Sequence, residues 1–418
     1  METTPKSMRL QIGLFGRTNV GKSSFLNYIA GQDVAITSPM PGTTTDMVEK
    51  SMELLPAGPV VFLDSAGIDD TSELSAARLK NTTRAFDRAD VFVLVVEPEV
   101  WTTFEDSICE EVKKRGVEFL VVITKTDMQV PSDKFLAMCR EKVGTVMTCS
   151  CVDSAGRYGC VEQFAGTIAA FAKKNGREIP LVGDLVPGGG LAVLVVPIDL
   201  GAPKGRLILP QVQAIRDALD NDAAVLVVKE REYAHALSML VRAPDIVICD
   251  SQVVLKMVAD TPRNVPCTTF SILFSRQKGD LNLQAAGLGV IDTLKAGDRV
   301  LIAEACSHHA LEDDIGRVKI PRWLRQYTGL DLGIDMYSGR DYPANLKEYK
   351  LVVHCGSCML TRRETLSRIR AAADAGVAIT NYGLCISFLQ GVIERVLEPF
   401  PAALDAYRSK RVNKGKAL

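Results

Sequence analysis

Short apolar runs alternate along the chain with longer segments whose apolar residues recur at helical spacing. This alternation is typical of a parallel α/β sheet. In the first part of the chain, strands are predicted at residues 10–15, 60–63, 91–96, 119–123 and 145–149. Residues 161–174 predict a closing helix, and the segment 175–190, with its Pro-Gly-Gly-Gly run, predicts a linker. We therefore expect a first α/β domain over residues 1–174.

The same alternation occurs twice more. Residues 191–275 predict a small α/β domain, with strands at 191–196, 223–228, 245–249 and 268–273 and helices at 209–219, 230–241 and 252–259. Residues 276–418 predict another, with strands at 299–303, 349–353 and 375–379 and helices at 361–373 and 384–396, and the basic residues 408–416 predict a solvated end. The predicted fold is a doubly wound, mostly parallel sheet followed by two smaller α/β domains with parallel sheets. The middle domain, which has apolar strands and no evident catalytic group, is a candidate for homodimer formation.

Composition narrows the class of protein. The chain has 418 residues, 47% of them apolar, and a net charge of −1. This balance predicts a globular protein without a field that attracts nucleic acid. The first seven residues lack an apolar signal segment, and no apolar run approaches the ~20 residues that span a bilayer. We therefore expect a cytoplasmic location and no membrane partner.

A phosphate-binding loop is predicted directly after the first strand, where residues 16–23 read Gly-x4-Gly-Lys-Ser. The two glycines let backbone N–H groups face phosphate oxygens, the lysine offers a cation to the β- and γ-phosphates, and the serine offers a hydroxyl to magnesium. The following helix adds its positive N-terminal end. The predicted contacts with the nucleotide and its Mg²⁺ come from Gly16, Asn19, Val20, Gly21, Lys22, Ser23 and Ser24.

Two further motifs follow predicted strands. Asp64 can hold magnesium through water, and the N–H of Gly67 can face the γ-phosphate. Residues 124–127 read Thr-Lys-Thr-Asp, and Asp127 can accept two hydrogen bonds from the N1 and N2 donors of guanine, which adenine does not offer. Thr124, Lys125 and Asp127 therefore predict GTP or GDP as the nucleotide.

These motifs resemble the translation-factor-related small GTPases, especially the tRNA-modification and ribosome-assembly branch, over residues 1–174. The resemblance implies that residues 41–46 form switch I, with Thr44 as a magnesium ligand, and that Ser150 and Cys151 contact the base. It assigns the catalytic contacts to Lys22, Thr44 and Gly67.

Two departures from this family pattern matter. Thr124 stands where the family usually has asparagine, which predicts looser base contacts. Ile68 stands where Ras-like proteins have the glutamine that orients the attacking water, so that mechanism is unavailable. Asn19 matches the position that in this branch helps to coordinate K⁺ beside the phosphates, which can replace the charge of an arginine finger. We expect slow, Mg²⁺-dependent hydrolysis that K⁺ stimulates.

The eleven cysteines and four histidines are unevenly distributed. In a cytosolic chain, cysteines are usually reduced thiols or metal ligands. Six of them are scattered through apolar surroundings, which predicts small buried hydrophobic residues: Cys109, Cys139, Cys160, Cys249, Cys267 and Cys385. Two tight groups instead follow predicted strands of the C-terminal domain and comprise Cys306, His308 and His309, then His354, Cys355 and Cys358. The carboxyl ends of neighbouring parallel strands share one edge, so the two groups can converge.

The chemistry of these groups allows zinc or an iron–sulfur cluster. Cys355 and Cys358 can point at one centre from a turn, with Gly356 letting the backbone bend. A Cys3His set would close a zinc site, whereas three thiolates leave one iron of a cluster with a different, exchangeable ligand. A redox dithiol is the remaining alternative for the Cys-x-x-Cys pair.

The combination of the nucleotide motifs, the middle segment at residues 203–211, Cys-x-His and His-Cys-x-x-Cys resembles the HydF family over nearly the whole chain. This family comprises GTPase scaffolds that mature iron-only hydrogenases. The resemblance implies a 4Fe-4S cluster on Cys306, Cys355 and Cys358, a homodimer, and a transient di-iron precursor as cargo. The implied partners are two radical-SAM maturation enzymes and the apo-hydrogenase. Candidates for the fourth iron ligand are His308, His354, Glu312 and Asp313, with His309 in a supporting position.

An alternative function is an RNA- or ribosome-associated GTPase with a structural zinc site. The near-neutral charge and the lack of a recognisable RNA-binding module argue against it.

Overall fold

The computed structural model describes residues 4–32, 48–64, 85–174, 179–197, 207–305, 314–339, 342–343 and 345–411. The chain forms two compact units, Met1–Arg177 and Glu178–Leu418. The N-terminal unit contains the first predicted sheet. The C-terminal unit contains both of the smaller predicted sheets.

A six-stranded sheet forms the centre of the N-terminal unit, in the order β2-β3-β1-β4-β5-β6. Its strands are β1 (Leu10–Phe15), β2 (Val48–Leu54), β3 (Gly58–Asp64), β4 (Val91–Val96), β5 (Glu118–Ile123) and β6 (Thr145–Thr148). Every neighbouring pair is parallel except β2 and β3, which are antiparallel. Since β1, β3, β4 and β5 are almost wholly apolar and buried, they fit a sheet covered on both faces.

Helices cover this sheet. They are α1 (Lys22–Ala30), α2 (Thr103–Arg115), α3 (Asp133–Val143) and α4 (Arg157–Lys174). α2 begins at a capping box in which the Thr102 hydroxyl accepts from the N–H of Phe104 and Glu105 bonds the Thr102 backbone. Two apolar cores result, one on each face of the sheet, and Phe15, Phe86 and Phe92 stack together in one of them.

The C-terminal unit has two four-stranded sheets, each parallel throughout. The first, in the order β10-β9-β7-β8, comprises β7 (Leu191–Val195), β8 (Ala224–Val228), β9 (Ile246–Cys249) and β10 (Cys267–Thr269). The second, in the order β12-β11-β13-β14, comprises β11 (Arg299–Ala303), β12 (Gly333–Tyr337), β13 (Leu351–His354) and β14 (Ala378–Asn381).

The helices of this unit pack around both sheets. They are α5 (Leu209–Asp220), α6 (Tyr233–Ser238), α7 (Val254–Asp260), α8 (Phe270–Lys278), α9 (Leu281–Gly287), α10 (Ile320–Thr328), α11 (Arg362–Asp374), α12 (Tyr382–Leu389), α13 (Ile393–Leu397) and α14 (Pro401–Arg411). One continuous apolar core includes strand residues of both sheets and the side chains of Leu181, Val182 and Val186 from the predicted linker segment. The two sheets therefore share a core.

Two predicted elements of this unit are wrong. The run 268–273 is a strand only as far as Thr269, whose hydroxyl accepts from the N–H of Ile272 and begins helix α8. Because apolar residues surround that junction on all sides, periodicity alone does not mark it. The single helix predicted at 384–396 is interrupted, since Gly391 adopts a left-handed φ of 73° between α12 and α13.

The sequence also left several elements unassigned, among them β2, β12 and helices α2, α3 and α14. Tyr407, which directly precedes the predicted basic end, is buried. Within that end, Arg408 and Arg411 are exposed and form ion pairs with Glu394 and Asp292. Searched over the described residues, the structure has no helix with the length and apolar content to cross a bilayer.

Candidate functional site

The loop that follows β1 has the backbone shape of a phosphate cradle. Gly16 and Gly21 have φ values of 151° and 100°, and a Cβ on Gly16 would lie 2.4 Å from the Val95 carbonyl oxygen. Asn19 also adopts a left-handed φ, of 63°. Because left-handed positions favour glycine, this loop holds its backbone in a conformation that ordinary sequences avoid.

Lys22 closes this loop from inside. Its side chain is buried, and its ammonium donates to the carbonyl oxygens of Gly16 at 2.8 Å and Arg17 at 2.7 Å. The positive charge is thereby fixed at the N-terminal end of α1. This is where a phosphate would gain most from the helix dipole and from the cation together.

Asp64 ends β3 beside this helix. Its Oδ2 lies 3.4 Å from the hydroxyl of Ser23, which can donate to it. Loss of hydration raises the pKa of Asp64 to about 6, although Lys22 and then Ser23 act to lower it. The other oxygen, Oδ1, is buried and accepts from no described residue. A buried carboxylate oxygen with spare capacity beside a serine hydroxyl fits a hydrated Mg²⁺.

The loop is held to its neighbours by residues that sequence reasoning missed. Arg17 donates to Glu105 at 2.9 Å, and Glu105 is fully buried while also bonding the cap of α2. Glu97, which follows β4, is paired with Lys125. The signal available for Glu97 was its place after an apolar strand, whereas nothing near Glu105 in sequence indicates Arg17.

Thr124 and Lys125 join the segment after β5 to the same loop. The Thr124 hydroxyl lies 2.5 Å from the carbonyl oxygen of Val20, to which it donates. The ammonium of Lys125 donates to the carbonyl of Asn19 at 2.7 Å, and Lys125 itself has a φ of 54°. Both side chains therefore hold the phosphate loop in place. Thr124 does so with a hydroxyl, whereas the family usually has the side-chain amide of asparagine at this position.

The last member of the nucleotide site lies after β6. Ser150 donates from its hydroxyl to Oδ1 of Asp127 at 2.9 Å, and Asp127 is exposed. The serine thus orients the carboxylate, leaving oxygen lone pairs for donors from solvent or a base. Residues after β1, β3, β4, β5 and β6 lie at the carboxyl edge of one sheet, as expected for a doubly wound fold.

The second candidate site lies at the carboxyl edge of the sheet that contains β11 and β13. These strands are parallel neighbours, with Ala303 opposite His354. The N–H of Ala305 donates to the Sγ of Cys355 at 3.1 Å. Loss of hydration raises the pKa of the Cys355 thiol to about 11, while backbone hydrogen bonds from Ser357 and Ala305 act in the opposite direction. Donors aimed at a sulfur are suited to a bound thiolate.

The loop from Cys355 to Cys358 turns at Ser357, which has a left-handed φ of 59°. Gly356, which was expected to let the backbone bend, is not among the positions with a left-handed φ. A buried ammonium supports the turn from below, because Lys278 donates to the carbonyls of Cys358 at 3.2 Å and Leu360 at 2.8 Å. The loop is therefore built around a cation that the sequence pattern did not reveal.

His354 is fully buried in this site. Its Nε2 lies 3.2 Å from Nη1 of Arg368, which can only donate. Its Nδ1 lies 2.9 Å from the carbonyl of Cys355, so this nitrogen carries the proton. Burial, followed by the charge of Arg368, lowers the pKa of His354 to about 3. Both ring nitrogens are thus engaged in hydrogen bonds within the described structure.

A buried carboxylate lies next to the same edge. Glu304 directly follows β11, and its Oε1 accepts from the hydroxyl of Tyr382 at 3.2 Å. Burial, with the nearby Cys355 and Glu304, raises the pKa of Tyr382 well above its usual range. Glu304 was missed because a glutamate after a strand is an ordinary feature of sequence, although Asp64 similarly lies at the carboxyl end of β3.

Several predicted site residues lie outside the described residues: Pro41–Asp46 with Thr44, Gly67, Ile68, Cys306, His308, His309, Glu312 and Asp313. Within the described part of the chain, no three histidine, cysteine or carboxylate side chains are grouped so that they could hold a metal ion. The ten cysteines described there are all free thiols. Two of the three predicted cluster ligands, Cys355 and Cys358, are among them and lie in one turn.

Comparison with family models divides the chain into three parts. Residues 11–125 match a 50S ribosome-binding GTPase domain. Residues 181–279 match the hydrogen maturase F dimerization domain, and residues 282–399 match the hydrogen maturase F tetramerization domain. The two hydrogen maturase F matches together cover more than half of the chain, and they support self-association. The GTPase match supports the binding and hydrolysis of GTP and the binding of Mg²⁺.

Two curated relatives are each similar to this chain over about 125 residues. A tRNA modification GTPase MnmE from Synechococcus sp. (strain JA-2-3B'a(2-13)) is 39% identical over 29% of this chain and 26% of its own length. GTPase Der from Kosmotoga olearia is 32% identical over 28% of each chain. The chain therefore spans about a quarter of the length of these relatives.

Among solved structures, Era from Aquifex aeolicus is 18% identical, with a TM-score of 0.36 over 56% of this chain and 100% of that one. The G domain of the T. maritima FeoB iron transporter is 19% identical, with a TM-score of 0.30 over 40% of this chain and 99% of that one. The N-terminal GTPase domain, joined to both hydrogen maturase F domains, shows that the chain belongs to the HydF family of hydrogenase-maturation GTPases.

Proposed function

We propose that this GTPase is a scaffold that binds a 4Fe-4S cluster and carries a di-iron precursor to apo iron-only hydrogenase. The observation that carries the cluster assignment is the hydrogen bond from the N–H of Ala305 to the Sγ of Cys355. Ala305 immediately precedes Cys306 in the chain. Because consecutive Cα atoms are about 3.8 Å apart, this bond supports the proposal that Cys306 and Cys355 share one cluster.

The donor set fits such a cluster. Cys355 and Cys358 come from one turn, and Cys306 would supply the third thiolate from the neighbouring strand end. Both ring nitrogens of His354 are engaged with Arg368 and the Cys355 carbonyl, so this histidine would support the loop rather than ligate. His308, Glu312 and Asp313 remain as candidates for the fourth position. An iron with a replaceable ligand would supply the open corner that a carrier needs.

In the nucleotide site, Ser23 and Thr44 would hold Mg²⁺ directly. Asp64 would hold it through water, because its Oδ1 accepts no hydrogen bond from any described residue. Lys22 keeps a cation at the phosphate position, and Ser150 orients Asp127 for guanine. Gly67 would donate its N–H to the γ-phosphate, and Cys151 would contact the base. Bound GTP would then bias partner association through the switch segments.

The same proposal specifies the oligomeric state, the partners and the location of the protein. The middle part of the chain would form a homodimer, and the cargo would come from two radical-SAM maturation enzymes. We also propose a cytoplasmic location without nucleic-acid or membrane partners. The net charge of −1 supports the lack of a nucleic-acid partner, because it provides no field that attracts a polyanion.

Potassium should accelerate hydrolysis through Asn19. This residue is exposed on the phosphate loop with its backbone held by Lys125, so its amide is available to a cation beside the phosphates. Steady-state turnover in KCl should exceed turnover in NaCl at matched ionic strength by about 10-fold or more. Asn19→Ala should remove the difference, and equal rates of the wild type in both salts would rule out this role.

Metal analysis of the full chain tests the cluster. After anaerobic reconstitution with iron and sulfide, the wild type should be brown and contain about four irons and four sulfides per chain. Competition with an equal concentration of zinc during reconstitution should leave this content largely unchanged. A colourless protein with about one zinc and no sulfide would instead support the alternative of a GTPase with a structural zinc site.

A further inference from the structure

Three cysteines meet in the N-terminal unit, behind the loop that follows β6. Cys149 directly follows β6, Cys151 lies in the loop, and Cys160 lies in α4. The Sγ atoms of Cys149 and Cys160 are 3.3 Å apart, and those of Cys149 and Cys151 are 4.0 Å apart. A disulfide has an S–S length of about 2.05 Å, so a movement of little more than about 1 Å would join Cys149 to Cys160.

The three thiols differ in exposure and in acidity. Cys149 is buried, whereas Cys151 and Cys160 are half-buried. Hydrogen bonds with Cys151 and Cys160, together with burial, raise the pKa of Cys149. The bond with Cys149 lowers the pKa of Cys160. The contact with Cys149 lowers the pKa of Cys151 as well. Thiolates are the nucleophiles, and Cys160 is the half-buried thiol whose sulfur lies nearer to Cys149, at 3.3 Å against 4.0 Å for Cys151. Cys160 is therefore the reactive member and Cys149 its resolving partner.

The other two described cysteines of this unit provide a contrast. Cys109 and Cys139 are both buried, and burial raises the pKa of each. Such thiols behave as small hydrophobic residues. Cys160 had been expected to belong to that class, and its sulfur contact with Cys149 and its partial exposure distinguish it from them.

We propose that Cys149 and Cys160 form a reversible disulfide that weakens guanine-nucleotide binding under oxidising conditions. With a hydroperoxide as oxidant, the Cys160 thiolate attacks the terminal oxygen, the O–O bond breaks, and a sulfenic acid forms as the alkoxide or hydroxide takes up a proton. The sulfur of Cys149 then attacks the sulfenic sulfur, the S–O bond breaks, and the thiol proton leaves with the hydroxide as water. A small dithiol reductant restores both thiols by exchange.

The disulfide would act on the nucleotide site through one residue. Ser150 lies between Cys149 and Cys151, and its hydroxyl donates to Asp127 at 2.9 Å. Drawing Cys149 toward α4 would pull Ser150 with it and disturb the orientation of this carboxylate. Affinity for GDP should fall by about 10-fold, which corresponds to loss of one hydrogen bond to a charged group.

Peptide mapping and nucleotide titration of the full-length protein test this pair. Hydrogen peroxide treatment followed by alkylation and trypsin should link peptide 143–157, which contains Cys149, to peptide 158–173, which contains Cys160. Fragmentation should place the link at Cys149. The same treatment should weaken binding of a fluorescent GDP about 10-fold, and dithiothreitol should restore it.

Two variants serve as matched controls. Cys160→Ala should bind GDP like the reduced wild type and should not respond to peroxide, with Cys160→Ser as a second variant should the alanine protein fail to fold. Cys139→Ala, which also removes a thiol from this unit, should respond like the wild type. The cysteines of the C-terminal unit are common to all of these proteins. A link at Cys151, a disulfide without loss of affinity, or equal loss in Cys160→Ala would each overturn the proposal.

Discussion

Lys22→Ala should lower GTP turnover by at least about 100-fold, because it removes a preorganised cation from the phosphate position. In the folded protein this ammonium is held by the carbonyls of Gly16 and Arg17, so no reorganisation is needed when a nucleotide arrives. Initial rates of phosphate release under saturating GTP measure the effect. The variant should still take up iron and sulfide, since the cysteine site lies in the other compact unit.

Hydrogenase maturation by Lys22→Ala tests whether delivery depends on the nucleotide domain in addition to the cluster. We expect poor activation of apo-hydrogenase even though the variant carries its cluster. Lys114→Ala, a charge removal at an exposed position of α2, is the matched control and should behave like the wild type. If Lys22→Ala activates hydrogenase fully, the nucleotide domain is dispensable for delivery.

Lys278→Met should destabilise the C-terminal unit by about 2–3 kcal/mol. The substitution removes the donor for the carbonyls of Cys358 and Leu360 and leaves buried acceptors without their cation. Part of this loss of stability is offset. Burying the lysine charge costs the wild type free energy, and methionine carries no charge. In calorimetry, the melting temperature of this unit should fall by about 5–10 °C.

The same substitution should loosen the cysteine turn. We expect Lys278→Met to reconstitute with less iron and to lose it faster to a chelator than the wild type, even at temperatures where the unit remains folded. Lys295→Met, at an exposed position of the same unit, is the matched control. A melting temperature and an iron content equal to those of the wild type would show that the turn does not depend on this ammonium.

The periodic parts of the fold could be predicted from the sequence because their physics is local. Strands β1, β4 and β11 were placed at their observed bounds, since an apolar run flanked by polar residues has one good solution in a buried parallel sheet. The edge strand β2 was not predicted, because about half of its residues are polar and its pairing with β3 is antiparallel. The change from strand to helix at Thr269 was not predicted, because both elements that meet there are buried.

The site residues divide in the same way. The phosphate loop could be predicted because its glycines, lysine and serine are close in sequence and together bind phosphate and magnesium. Lys278 could not, since it is 80 residues from the Cys358 carbonyl to which it donates and sits in what periodicity assigns to a strand-and-loop region. His354 was predicted as a possible ligand from its neighbours in sequence, and its engagement with Arg368 depends on the packing of α11.

The iron content of single cysteine variants tests whether three thiolates hold the proposed 4Fe-4S cluster. Cys306→Ser, Cys355→Ser and Cys358→Ser should each reconstitute with far fewer than the about four irons per chain expected for the wild type, and should lose the EPR signal of the reduced cluster. Cys249→Ala, which removes a buried thiol from another sheet of the same unit, should keep both. Wild-type iron content and an unchanged EPR signal in Cys306→Ser would contradict a cluster held by these three thiolates.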